Sequence, residues 1–134
     1  MTILMAVVVA FSLPAFSRES LHVQLILSPQ AIAYIEENIL PDFEARYDVD
    51  VLIEPVGWHN RLEKVLISTA GGAPPDIFMN GAEHVLELVE LGVLYPIDRE
   101  WESWDDREDF FPASLGSSTW KGHRYGVQIG RAHV

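Results

Sequence analysis

Seven residues in three short stretches carry groups suited to gripping a small polyhydroxylated molecule: Ser28 and Gln30, Trp58 and His59, and Asn80, Gly81 and Glu83. Hydroxyl, amide, imidazole and carboxylate groups exchange hydrogen bonds with sugar hydroxyls. An indole offers a flat apolar face to the C–H side of a sugar ring. Two of these residues have a second reading. Trp58 could instead be a helix-start residue packed on the core, and Asn80 a turn residue suited to its backbone conformation. Both readings stand at the level of sequence.

Other reactive constellations are poor. Glu83, His84 and Glu87 crowd one stretch, and His84 and Glu87 would share a helix face, a spacing able to place two ligands on a metal. A solvated helix face explains them as well, and no metal site is assigned. His22, His59 and His123 are isolated along the chain and read as surface or hydrogen-bonding residues. There is no Gly-x-Ser-x-Gly elbow, no His-Glu-x-x-His and no phosphate-cradling glycine loop. Asp and Glu are plentiful, but no spacing singles out an acid and a base for glycoside hydrolysis. The chemistry on offer is binding, with no enzyme activity and no cofactor implied.

Charge narrows the partners further. The 134 residues hold 20 Asp and Glu against 9 Lys and Arg, a net charge of −11, with no basic cluster. A nucleic-acid backbone needs a basic patch, so nucleic acid is not an expected partner. Seven of the acidic residues fall between positions 98 and 109, with Arg99 and Arg107 among them, and this stretch reads as a solvated surface loop. The absence of cysteine excludes disulfides, Cys-based zinc sites, thiol nucleophiles and a lipid on an N-terminal cysteine of this chain.

Residues 3–13, ILMAVVVAFSL, form an apolar run too short to cross a bilayer. Ala15 and Ser17 stand as small residues before Arg18, as at a secretory cleavage site, although no Lys or Arg precedes the run. Residues 1–17 are read as a signal peptide, with a buried strand as the alternative.

The elements that must position the seven residues follow from periodicity. Residues 21–27 and 49–56 are apolar and partly alternating, as expected of strands in a covered sheet, and residues 76–79 make a short third strand. Ile32, Ile35, Ile39, Phe43 and Tyr47 mark a helix over 31–47 that Pro41 should kink or restart. Trp58, Leu62, Val65, Leu66 and Thr69 mark a second helix. Val85, Leu88 and Val89 face inward from a third over 83–91. Gly71 and Gly72, followed by Pro74 and Pro75, stop the second helix, and Gly92 stops the third. A short helix is expected within 109–117 and a hairpin over 119–127 turning at Gly122. Alternating strands and helices imply an α/β fold with a parallel sheet flanked by helices. The loops after its three strands then converge on one edge, where ligands bind in such sheets. Ser28 to Gln30, Gly57 to Asn60, and Asn80 to Glu83 are those loops.

The stretch over 68–98 also resembles a known family. A helix ending in GGAPPD (71–76), a hydrophobic strand, and a helix ending in LGVLYPID (91–98) occur in this order in extracytoplasmic solute-binding proteins of ABC importers, especially the carbohydrate-binding branch. The resemblance extends over about 21–127. It implies two α/β lobes joined by a hinge, with this chain as a partial first lobe over 18–127. It further implies a noncatalytic substrate-binding component outside the cytoplasmic membrane, a sugar or oligosaccharide ligand, ABC permease subunits as partners, and a monomer at full length. Closure of such lobes depends on the ligand binding the closed form better. The alternatives are an exported α/β hydrolase with catalytic residues beyond Val127, or a binding protein for polyamine or iron. The last six residues, IGRAHV, fit no pattern of that family and match one reading frame of a widely used short-read sequencing adapter. Residues 128–134 are therefore read as a non-native tail.

Overall fold

The computed structural model describes residues 18–128. The apolar run over 3–13, the cleavage-site residues and the tail over 129–134 lie outside the described residues.

Strand β1 (Glu19–Leu25) is the centre of a three-stranded sheet. It pairs in parallel with β2 (Val49–Pro55), from Glu19 opposite Val49 to Leu25 opposite Pro55, and with β3 (Ile77–Phe78) through Val23 and Gln24. The order is β2-β1-β3, so every strand points the same way. β3 is short, but its pairing is prolonged at both ends. The Asp76 N–H donates to the His22 carbonyl and the Met79 N–H to that of Gln24, each at 2.9 Å. The Asp76 carboxylate adds a bond from the His22 N–H at 2.8 Å, which joins the Pro-Asp turn to the central strand.

The alternation of β1 gives the sheet two unlike faces. Leu21, Val23 and Leu25, with Val51 and Ile53 of β2, line one apolar layer with Ile35, Ile39, Leu40 and Phe43. Those four come from α1 (Pro29–Asn38), α2 (Leu40–Tyr47) and the residue between them. The helix expected over 31–47 restarts near Pro41 as anticipated: it divides at Ile39, and Pro41 sits in the first turn of α2, where its missing N–H costs no hydrogen bond.

The opposite face is polar at its centre. Gln24, 2% exposed, donates to Glu54 at 2.7 Å, His22 Nε2 lies 3.1 Å from the same carboxylate, and Lys64 of α3 (Arg61–Ala70) pairs with it. Val65 of α3 and Leu88 of α4 (Val85–Glu90) are fully buried. Gly72 and Gly92, with φ of +77° and +70°, end these two helices in the left-handed conformation that glycine adopts freely.

Beyond α4 the chain departs from one expectation. Residues 98–109 are not a loop: α5 (Asp98–Glu102) and a 3₁₀ turn (Asp105–Asp109) occupy them. Apart from the half-buried Asp98, the acidic residues are exposed, as the charge pattern implies, but Trp101, Trp104 and Phe110 pack edge-on with centroids 5.1–5.7 Å apart. Asp98 and Glu100 in the first turn suit the helix dipole. After α6 (Pro112–Gly116), β4 (Thr119–Trp120) and β5 (His123–Arg124) form the expected hairpin. Lys121 and Gly122 both have positive φ, the geometry of a two-residue hairpin turn. Asp98 holds the hairpin to α5 by accepting from the Arg124 N–H at 2.8 Å and meeting His123 Nδ1 at 2.7 Å. Among the described residues no helix is long and apolar enough to cross a membrane.

Candidate functional site

Because the three strands are parallel, the segments after Leu25, Pro55 and Phe78 leave the sheet from the same end. They hold the seven candidate residues.

The first segment serves α1. Ser28 is its N-cap, with Oγ accepting from the Ala31 N–H at 3.2 Å, and Pro29 follows at the first helical position. Gln30 is exposed, and no hydrogen bond ties its side chain to another described residue. The second segment is a turn before α3. Asn60 closes it, its Oδ1 accepting from the Gly57 N–H at 2.9 Å. Trp58 and His59 are both exposed there. Trp58 lies ahead of α3 rather than within it and is 41% exposed, so it is not a core residue.

The third segment is the most tightly organised. Asn80 Oδ1 accepts from the Gly81 N–H at 2.8 Å, and Gly81 is buried. A side chain could not be added at Gly81 as things stand: a Cβ would lie 2.1 Å from the Glu83 carboxylate oxygens. The Glu83 carboxyl is held below its ordinary range chiefly by its own backbone N–H. Desolvation opposes this, and the positive charge of Arg61 assists.

Arg61 joins the second and third segments. Its Nε donates to Asn80 Oδ1 at 2.8 Å, its Nη2 to Glu83 Oε1 at 2.5 Å and its Nη1 to the Trp58 carbonyl. Its guanidinium carbon also lies 4.5 Å from the centre of the Trp58 ring, a cation–π arrangement. Trp58, Asn80, Gly81 and Glu83 are thus brought into one linked cluster, and Ser28, Gln30 and His59 are not joined to it by any described contact. Sequence reasoning missed Arg61. One signal was available: a positive charge at the first position of a helix opposes the helix dipole, so its presence there asks for another partner.

The remaining acid–imidazole stretch is held by loose ion pairs. His84 Nδ1 lies 3.4 Å from Glu87 and its Nε2 3.7 Å from Glu83. Among the described residues no group of three or more His, Asp or Glu side chains is disposed to hold a metal.

Comparison with known proteins places this geometry. The sequence pattern of the bacterial extracellular solute-binding protein family matches residues 28–127. No curated protein sequence matches the chain. Among solved structures, an ABC transporter solute-binding protein from Thermotoga lettingae, bound with α-D-tagatose, superposes with a TM-score of 0.70 at 21% identity. It covers 81% of this chain and 28% of its own. The GacH receptor of Streptomyces glaucescens, solved unliganded and with acarbose, gives 0.70 at 21% identity, over 83% of this chain and 29% of its own. The maltose-binding protein MalE of Listeria monocytogenes, in complex with maltose, gives 0.65 at 21% identity, over 81% and 26%. The chain therefore spans less than a third of these proteins and shares the fold of that part.

Proposed function

The chain belongs to the bacterial extracellular solute-binding protein family, and on that premise we propose that it forms part of the first lobe of an ABC-importer binding protein for an uncharged sugar or oligosaccharide. The observation that carries the reading is the convergence of three parallel strand ends on one edge, with an exposed indole beside hydrogen-bonding groups. Trp58 supplies the apolar face. Ser28, Gln30, His59, Asn80, Gly81 and Glu83 supply polar groups or the close backbone between them. The role is noncatalytic: ligand enters between two lobes, contacts from both favour closure, and the closed form docks on permease subunits outside the cytoplasmic membrane. In this reading residues 18–127 form one wall of the cleft.

The charge state of the edge favours a neutral ligand. Glu83 is paired with Arg61, so the carboxylate a polyamine would meet there already has a cationic partner. The named ligands of the similar structures, tagatose, acarbose and maltose, are carbohydrates and support the same class. Calorimetry on the full-length gene product tests the reading. Saturable binding of at least one neutral mono- or oligosaccharide is expected from a panel that also contains spermidine and ferric citrate. Binding of spermidine or ferric citrate with no response to any sugar would overturn it.

A further inference from the structure

We propose that Arg61 is a positioning residue. It fixes the relative placement of Trp58 and the Asn80–Glu83 loop before any ligand arrives. Its importance for binding rests on the sugar-site reading, but the bracing itself does not.

The guanidinium is a rigid planar fork of five N–H donors that no other side chain reproduces. Here each of its three nitrogens has a different acceptor: Nε holds Asn80, Nη2 holds Glu83 and Nη1 holds the Trp58 carbonyl. Those acceptors come from two loops that follow different strands, with Asn80 19 residues away along the chain. Between loops, no backbone ladder does this work. The Arg61 side chain is 13% exposed and its bond to Asn80 is partly buried, whereas the bonds to Glu83 and to the Trp58 carbonyl lie in exposed surroundings.

A second observation shows what the arrangement gives up. Asn80 Nδ2 is buried with no hydrogen-bond partner. Turning the amide over would expose no better solution, because Nδ2 would then face two donors, the Arg61 Nε–H and the Gly81 N–H. The loop thus keeps the Asn80 side-chain oxygen on Arg61 and Gly81 while Nδ2 has no described hydrogen-bond partner. Stacking on Trp58 completes the brace.

The Gly81 amide reports on this directly, since its N–H is protected by the Asn80 carbonyl. Hydrogen exchange on the ligand-free full-length gene product would compare wild type with Arg61→Lys and Arg61→Met. A lysine keeps the charge but lacks the fork. Both variants are expected to exchange about tenfold faster or more over residues 57–60 and 80–84, with β1 and α1 unchanged. Unchanged protection of those loops in Arg61→Lys would overturn the proposal. So would faster exchange spread equally through β1 and α1, which would make Arg61 a general stability residue. Glu83→Gln, which keeps a neutral acceptor for Arg61, should loosen the loops less than either. Calorimetry with the sugar panel separates the two claims. If wild type binds no sugar, the functional reading fails while exchange still decides the brace. If wild type binds and Arg61→Lys binds equally well, the positioning role fails.

Discussion

Gly81 and Glu83 act as a matched pair at the residue scale. The carboxylate lies where a Cβ of residue 81 would be, at 2.1 Å, and in that place it meets Arg61. Gly81 has an ordinary negative φ of −77°, so its requirement is for space rather than for backbone freedom. Gly81→Ala should therefore drive the carboxylate off the guanidinium and lower the unfolding temperature. In a Glu83→Ala background the same change should cost little, because the obstructing group is gone. Thermal unfolding of the four proteins in this cycle checks it, and equal costs in both backgrounds would show that the two residues are independent. The placement of the seven candidate residues after three parallel strands was legible from the sequence, but Arg61 was not. A single arginine at a helix start reads as a solvated charge. Only the approach of loops far apart in sequence gives it three acceptors.

The elements were legible where their period was clean and their stops were glycines. Strands alternate at two, helices recur at three and four, and Gly72, Gly92 and Gly122 carry the positive φ that ends an element or turns a hairpin. β3 was legible too, over 76–79: its paired core is two residues, and bonds to β1 prolong it to Asp76 and Met79. One feature escaped. The acidic stretch over 98–109 concealed Trp101, Trp104 and Phe110, whose mutual packing shapes it into a helix and a 3₁₀ turn. The sheet face toward α3 also differs from a simple apolar layer, since Glu54 ties β2 to His22 and Gln24 of β1 and to Lys64 of α3. Lys64 foremost, then Gln24, lowers the Glu54 pKa from its ordinary 4.5. A carboxylate whose folded-state pKa is depressed contributes stability that is complete above the unfolded value and is lost as pH falls through the folded one. Acidification from neutral pH to below 4.5 should thus erode stability through this group. Glu54→Gln should flatten that part of the profile. Parallel acid profiles of Tm for the two proteins would count against the role of Glu54.

At the scale of the whole molecule, the sheet is unfinished on one side. β3 is an edge strand, Ile77 is 53% exposed on it, and Tyr95 and Phe111 are more exposed still. Exposed edges and apolar side chains invite self-association. Residues 18–127 expressed alone should associate with themselves and bind sugar weakly or not at all. Light scattering and calorimetry check this, and a monomer that binds sugar at micromolar concentration would refute it. On the proposed reading the full-length product should behave differently, because a second wall would complete the cleft. The most direct test of the account is a calorimetric titration of that product with the tightest neutral sugar of the panel, repeated on Trp58→Ala. The account predicts saturable binding by wild type and a loss of affinity on the order of tenfold or more in the variant, from removal of the stacking face. Equal affinity in the two proteins would mean that the sugar is held away from this edge, and the central claim would fail.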